Sequence, residues 1–560
     1  ATTSSLTAET NITVQVVETR TRYVQQGNAN AAAPYTSWST AAADLQSAAA
    51  SAVPGDTIIV GAGTYSTGSA LMPIYDNPAR VCVPPYVTLK SAGGAAVTTI
   101  DGGGSLRCVY LGAYGELDGF TLVNGYTPSG YDGAGCFAGV SSVVKNCRLL
   151  DNRTDSEGGG IVQGHAGTVT DCDVIRNSSA YNGGGIYAAW ENNLVRCTVI
   201  SNTASSSGGG IYAKNGCYTR YCTVRGNAAG QHGGGYVSYG IPSIEHTSFT
   251  DNEAGWDGGG VFTQSEMTTR DCVFTHNTAG SDGGGYYGHC QRFAMTDCTF
   301  SSNSATSYGG GLYARGSTSQ GSIERGQFVG NDASYGGGVY AYRMYVRDCT
   351  VEHNHADGDG GGVYADYYSD VLTCGVKNNQ AERDGGGIYG RPYVEVDRSS
   401  IFGNSAGRDG GGFCSSTFSQ SSSSGPKIYN SLLARNSAER DGGGVLLSAG
   451  QSINNTVVDN SAAVRGGGLH AAWATAVNTV ICSNSASTNV DLWAVASNIS
   501  YCVGVGIPTG SWNQAVAPQL IHVPSSNYRL RSGSPCHEAG NDGVVYGGLD
   551  LAGAVRKQGS

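Results

Sequence analysis

A Gly-Gly-Gly triplet recurs in this chain at Gly158, Gly183, Gly208, Gly233, Gly258, Gly283, Gly309, Gly336, Gly360, Gly385, Gly410, Gly442 and Gly466. Most intervals are 25 residues; the others are 24, 26, 27 and 32. Asn keeps step with it. Asn152, Asn177, Asn202, Asn227, Asn252, Asn277, Asn303, Asn354, Asn379, Asn404, Asn436 and Asn460 each lie six residues before a triplet, and Asn331 lies five before. Asn124 and Asn484 extend the series at its ends. Five residues before the Asn comes Cys147, Cys172, Cys197, Cys222, Cys272, Cys298, Cys349 or Cys374. An apolar residue such as Val174, Val199 or Phe274 stands between. Cys, apolar and Asn at steps of two and three read as a short strand ending in a turn. The Ile-Tyr, Val-Tyr or Leu-Tyr after each triplet reads as a second strand.

Strands this short cannot bury a face unless each coil stacks on the next. The expected fold is therefore all-β: a right-handed parallel β-helix of about 25 residues per coil. The triplets suit a backbone that bends tightly or takes φ > 0. The longer intervals must loop outward, as at Ser419 to Ser424. Helical repeats lack their periodicity here, and calcium-binding nonapeptide rolls lack theirs.

Composition agrees. The 87 glycines in 560 residues are about twice the usual 7%, and 33 Tyr argue against disorder. A net charge of −11 favours no nucleic-acid partner, and no apolar run of about 20 residues spans a membrane. The chain opens at Ala1, as expected of a secreted protein whose signal peptide has been removed.

The ends read differently. Ser39 or Thr40 is the expected N-cap of a short capping helix ending before Pro54, followed by a strand at 57–60. Residues 10 to 24 read as one long alternating strand carrying Ile12, Val14 and Val16. The expected divisions are an extension strand at 1–24, a cap with short helix and first strand at 25–66, the solenoid at 67–515 and a C-terminal coil or cap at 516–560.

With Tyr23-Val24, Ser37-Trp38-Ser39-Thr40-Ala41-Ala42, Gly55-Asp56-Thr57-Ile58-Ile59-Val60, the Asn-Ser-Ala…Gly-Gly-Gly-Ile-Tyr units, Asn527-Tyr528-Arg529-Leu530 and Ser532-Gly533-Ser534-Pro535 in view, the chain resembles the secreted bacterial right-handed parallel β-helix repeat proteins. Its repeats are similar to those of polymorphic outer-membrane proteins. The resemblance covers roughly residues 20 to 555. It implies the fold and an extracellular or cell-surface location, in a family of adhesins, surface proteins and carbohydrate-active enzymes. Members usually run past Leu549 to Gly553 into a closing strand that is absent here, and usually begin after residue 19. This suggests head-to-tail self-association, the Ile12, Val14, Val16 strand completing the last coil of a neighbour by β-augmentation.

Four rows are candidates for function. Asn152 to Asn277 and the Cys147, Cys172, Cys197 and Cys222 stack read as structural ladders, amides satisfying buried backbone and thiols acting as small buried residues. Cys82, Cys108, Cys217, Cys290, Cys414, Cys502 and Cys536 are the better disulfide candidates, for example Cys217 with Cys222 or Cys290 with Cys298. Tyr187, Tyr212, Tyr287, Tyr313, Tyr340, Tyr364 and Tyr389, with Phe262 between, face outward by strand alternation. They form a row able to meet a sugar, a second protein or one another. Asp257, Asp282, Asp359, Asp384, Asp409 and Asp441 precede their triplets; their repulsion calls for an adjacent Arg (Arg383, Arg408, Arg440) or Ca2+, the only cofactor suggested. One residue before the Cys position come Asp171, Arg196, Tyr221, His246, Asp271, Asp297, Arg325 and Asp348. If the chain were a polysaccharide lyase or glycosidase, His246, Asp271, Asp297 and Arg325 would be its catalytic candidates. Alternating charge that avoids repulsion accounts for the same row. His353, His355, Asp357 and Asp359 read as a surface loop. An extracellular structural or adhesive role is the leading expectation, with a polysaccharide-cleaving enzyme or a carbohydrate-binding surface protein as alternatives.

Overall fold

A computed structural model of the chain describes residues 20–72, 77–317, 321–415, 424–495, 497–522, 527–536, 539–541 and 543–544. The repeat builds a parallel β-solenoid, with each coil contributing four short strands to four ladders. After each triplet comes the first ladder, for example Ile161–Gln163 against Ile186–Val195. The second ladder includes Val143–Lys145 and Thr168–Thr170. The third carries the apolar residue between Cys and Asn, with Val174 opposite Val199 and Val199 opposite Val224. The fourth has two-residue strands such as Ser178–Ser179 and Thr203–Ala204. Identical coils in register place like residues above like. Phe249, Phe274, Phe300 and Phe328 thus stack inside the core with centroids 5.2, 4.5 and 4.9 Å apart.

Three corners of each regular coil are left-handed, and only one is glycine in every coil. The first Gly of a triplet has φ of +67° at Gly183. The residue before Cys is also left-handed (Asp171 +55°, Arg196 +51°, Tyr221 +57°), as is the residue before Asn (Arg176 +55°, Ser201 +55°). Each costs a non-glycine residue about 1–2 kcal/mol, offset by the ladder hydrogen bonds on either side. The second Gly needs room rather than φ. At Gly184 a Cβ would lie 2.2 Å from Thr203 O and 2.5 Å from Gly209 O, both on the next coil.

The Asn ladder is continuous. Asn177 Nδ2 donates to Leu149 O of the previous coil (2.9 Å) and to Asn202 Oδ1 of the next (3.0 Å). Asn202 Oδ1 also accepts from Asn177 N (2.9 Å). The pattern runs to Asn484, whose N and Nδ2 donate to Asp491 Oδ1, a terminus that the repeat did not reveal. Asn124 is not a member. It occupies the left-handed corner (φ +55°), and Gly125 holds the ladder position.

All 17 cysteines are free thiols, so the expected disulfides, including Cys217–Cys222 and Cys290–Cys298, are not formed. The stacked thiols donate to the carbonyl two residues back, as Cys172 does to Thr170 O (3.2 Å) and Cys222 to Arg220 O (3.3 Å). Thr247 and Ser399 fill the same position in other coils and make the same bond. The position therefore selects a small buried donor. Burial, the largest cause, pushes the Cys108 thiol up to about 12. Cys147, Cys172, Cys197 and Cys222 should resist a thiol reagent in the folded protein and react after denaturation without reductant. Absence of free thiols at these positions in denatured protein would contradict the stack.

The N-terminal end is closed. Thr21–Val24 pairs in parallel with Thr57–Val60, so this part of the expected extension strand is the solenoid's own first rung. The buried Arg22 donates to Asp56 Oδ2 at 2.7 Å. The capping helix is Leu45–Ser51, later than expected, because Asp44 rather than Ser39 or Thr40 is its N-cap and accepts from Ser47 N at 2.9 Å. Ser37 instead caps a short 3-10 turn, Trp38–Thr40. Ile12, Val14 and Val16 lie outside the described residues, as does the 419–423 part of the expected loop. Leu520–His522 and Asn527–Leu530 form a hairpin whose Leu520 packs on the flank against Ala434, Val458 and Cys482.

Candidate functional site

The columns on either side of the triplet build a groove of about 710 Å³ along the solenoid axis, from Tyr308 to His470. One wall is the outward residue two places after the triplet, the other the residue just before it. The tyrosines of the first wall do point away from the core. Their flat faces, however, are consumed by one another: Tyr287–Tyr313 and Tyr313–Tyr340 stack at 4.7 and 4.8 Å with interplanar angles of 1° and 4°. Tyr187, Tyr313 and Tyr340 are buried, and Tyr212, Tyr287, Tyr364 and Tyr389 half-buried. Of the three partners expected for this row, the rings meet one another. The stripe offers edges and hydroxyls, which burial holds protonated, as at Tyr212, pushed up to about 12.

In the other wall Tyr308 and Tyr335 replace Asp and meet the first column edge-on, Tyr308–Tyr340 at 5.1 Å and Tyr335–Tyr364 at 6.0 Å. The acidic row resumes at Asp359, Asp384, Asp409 and Asp441. Its charge is relieved chiefly by the arginine of the following coil; of the sequence-adjacent arginines, Arg440 also lies 3.8 Å from Asp441 Oδ2. Arg408 Nε donates to Asp384 Oδ1 at 2.8 Å and its Nη2 to Asp384 Oδ2. Arg440 grips Asp409 in the same way, and Arg465 grips Asp441 through Nε (3.0 Å) and Nη2 (2.7 Å). Arg383 Nε lies 3.6 Å from Asp359 Oδ1. Backbone N–H groups of the next coil add to the clamp, as Asp409 N does on Asp384 Oδ1 (3.2 Å). Among the described residues no cluster of three His, Cys, Asp or Glu side chains is arranged to hold a metal ion.

The groove ends at His470, where the Tyr column has become Cys414, Leu446 and His470. His470 stacks on Trp493 at 4.0 Å, and burial pushes its imidazole down to about 4, leaving it neutral. Nothing in the 25-residue pattern marked it; only its place in the column would have.

The row of catalytic candidates sits apart, on an exposed left-handed corner. Arg196 grips Asp171 (2.7 Å) and Arg325 grips Asp297 (2.7 and 2.9 Å). His246 stacks on Tyr221 at 4.9 Å, with Nδ1 3.8 Å from Asp271. The hydrogen bond from Arg325 holds the Asp297 carboxyl below the usual carboxylate range, the opposite of what a general acid requires. The row is a charge-compensated ladder. His355 bridges Asp332 (2.6 Å) and Glu382 (3.3 Å) across coils rather than joining His353, Asp357 and Asp359.

The family model for the Chlamydia polymorphic membrane protein repeat matches residues 196–214 and 297–315. No curated protein matches the chain by sequence. Similar solved structures include pectate lyase Pel9A, with 14% identity over 58% of this chain and 79% of that one and a TM-score of 0.31. A mutant tailspike protein of E. coli bacteriophage HK620 in complex with a pentasaccharide shows 12% identity over 82% and 73%, TM-score 0.27. The A-module of Azotobacter vinelandii mannuronan C-5 epimerase AlgE6 shows 12% identity over 83% and 93%, TM-score 0.16. By its own strand pairing the chain is a parallel β-solenoid repeat protein. Two of its repeats, at 196–214 and 297–315, are similar to the polymorphic membrane protein repeat. No helix among its described residues is long and apolar enough to cross a membrane.

Proposed function

We propose that this protein is an extracellular, surface-displayed adhesive solenoid that holds an extended polar polymer, a glycan, in its lateral groove. The groove itself carries this reading. It follows the solenoid axis, and it is lined by groups that form directional hydrogen bonds, tyrosine hydroxyls in its first coils and arginine guanidiniums in its later ones. The interior Asn ladder makes the groove rigid, so little ordering entropy is lost when a chain molecule lies along it. The similarity of two repeats to a membrane-protein repeat family supports a surface location. In affinity electrophoresis through gels containing neutral and acidic polysaccharides, at least one polymer should retard the protein. Ser448→Trp, which places an indole in the groove, should weaken that retardation about ten-fold or more with an unchanged melting curve. Equal retardation of the variant, or none with any polysaccharide, would remove this reading.

Head-to-tail assembly is a second reading, favoured by an asymmetry between the ends. The first rungs are covered, Val24 by Ala42 and Pro78–Val83 by the antiparallel Ala70–Leu71. Leu492–Val495 pairs with Leu469–Ala472, and among the described residues no strand pairs its other edge. An open edge accepts a further strand, and the donor would have to precede Arg20, since Thr21–Val24 is already paired. Light scattering should show association of the full chain and a monomer after deletion of residues 1–19. Polymerisation of the truncated chain would exclude this route.

A further inference from the structure

The glycan reading leaves open which polymer the groove selects, and the Asp–Arg clamps bear on that choice. Their two halves are unequally placed. The side chains of Arg383, Arg408, Arg440 and Arg465 are 40–51% exposed, those of Asp359, Asp384, Asp409 and Asp441 only 4–10%. The carboxylates form a covered layer, and the guanidiniums form the surface that a ligand meets. Arg408, Arg440 and Arg465 use Nε and Nη2 on their Asp, which leaves the Nη1 edge of each fork to the groove. A guanidinium held flat by one carboxylate is already oriented for a second, so its rotamer freedom is not lost again on binding. The row repeats once per coil, about every 4.8 Å. At its end His470, 7% exposed, lines the groove with Nδ1 lacking a hydrogen-bond partner, 4.0 Å from Asp441 Oδ1. A buried polar nitrogen left in this state is a group that a ligand can satisfy.

Resting on the glycan reading, we infer that the groove selects an anionic glycan, one carrying a carboxylate or sulfate on successive residues, held by Arg383, Arg408, Arg440 and Arg465. A chain of net charge −11 has no general attraction for such a polymer, so recognition must be local to this row.

The test is calorimetric titration with three polymers: polygalacturonate, its fully methyl-esterified form and dextran sulfate. At least one of the two anionic polymers should bind about ten-fold or more tightly than the ester, with affinity falling as salt rises. The tighter of the two names the anion. Removing an arginine alone would strand a covered carboxylate and could unfold the coil, so the variant is the quadruple change D384N/R408Q/D409N/R440Q, checked by circular dichroism. It should lose about ten-fold or more in affinity for the anionic polymer. Equal binding of the ester, or unchanged binding by the quadruple variant, would overturn the anionic selectivity and leave the glycan reading in place. Failure of all three polymers and of the wider polysaccharide panel would remove both.

Discussion

Replacing Asn252 by leucine is expected to destabilise the solenoid by several kcal/mol, although the two side chains are nearly the same size. Asn252 is 1% exposed. Its Oδ1 accepts from Asn227 N (3.1 Å) and Asn227 Nδ2 (3.0 Å), and its Nδ2 donates to Val224 O (3.0 Å). Leucine would leave these three buried groups short of a partner, at about 1–3 kcal/mol each. Asn252 also donates to Asn277 Oδ1 (2.9 Å), so the ladder is cut in both directions. Tyr287→Ser is the comparison. That ring lies between Phe262 (4.9 Å) and Tyr313 (4.7 Å) on the outer face. Its loss removes two stackings of about 0.5–1.5 kcal/mol each but strands nothing. Urea midpoints should rank wild type, Tyr287→Ser and then Asn252→Leu. Equal small shifts for the two variants would refute the ladder as the main internal support.

Gly259→Ala should be nearly as damaging, and Gly226→Ala mild. A Cβ at Gly259 would sit 2.4 Å from Thr278 O and 2.5 Å from Gly284 O. Both are backbone atoms of the next coil, and neither can retreat without parting the rungs. Overpacking against side chains costs about 1–3 kcal/mol, and a rigid backbone should exceed that. Gly226 has φ of +60°, but its nearest obstacle is Ser201 Oγ at 3.6 Å, so alanine there meets only the left-handed cost of about 1–2 kcal/mol. Similar destabilisation by both would mean that conformation, not crowding between coils, explains the triplets.

The sequence by itself determined the repeat and hence the architecture. One coil's marks recur in the next, and stacking in parallel is how strands this short become buried. It therefore also determined that Asn and Cys form columns, and that the tyrosines after the triplet lie on the outer face. Tertiary structure decided what each column does. Whether a tyrosine shows its face or its edge depends on the ring one coil away, and at 4.7 Å the faces are spent on each other. Whether Asp384 meets Arg383 or Arg408 depends on the coil pitch, not on adjacency in the chain. The same crossing of coils gave Asp297 an arginine partner, whereas Asn484 finds its terminal acceptor, Asp491, farther along its own coil. His470 enters the groove only because its column does. A periodic sequence is informative along the coil, where its own spacing acts. Contacts between coils pair residues about one coil apart, 23 positions for Asn331 and Asn354 and 32 for Asn404 and Asn436, and there a single irregular interval changes which side chains meet.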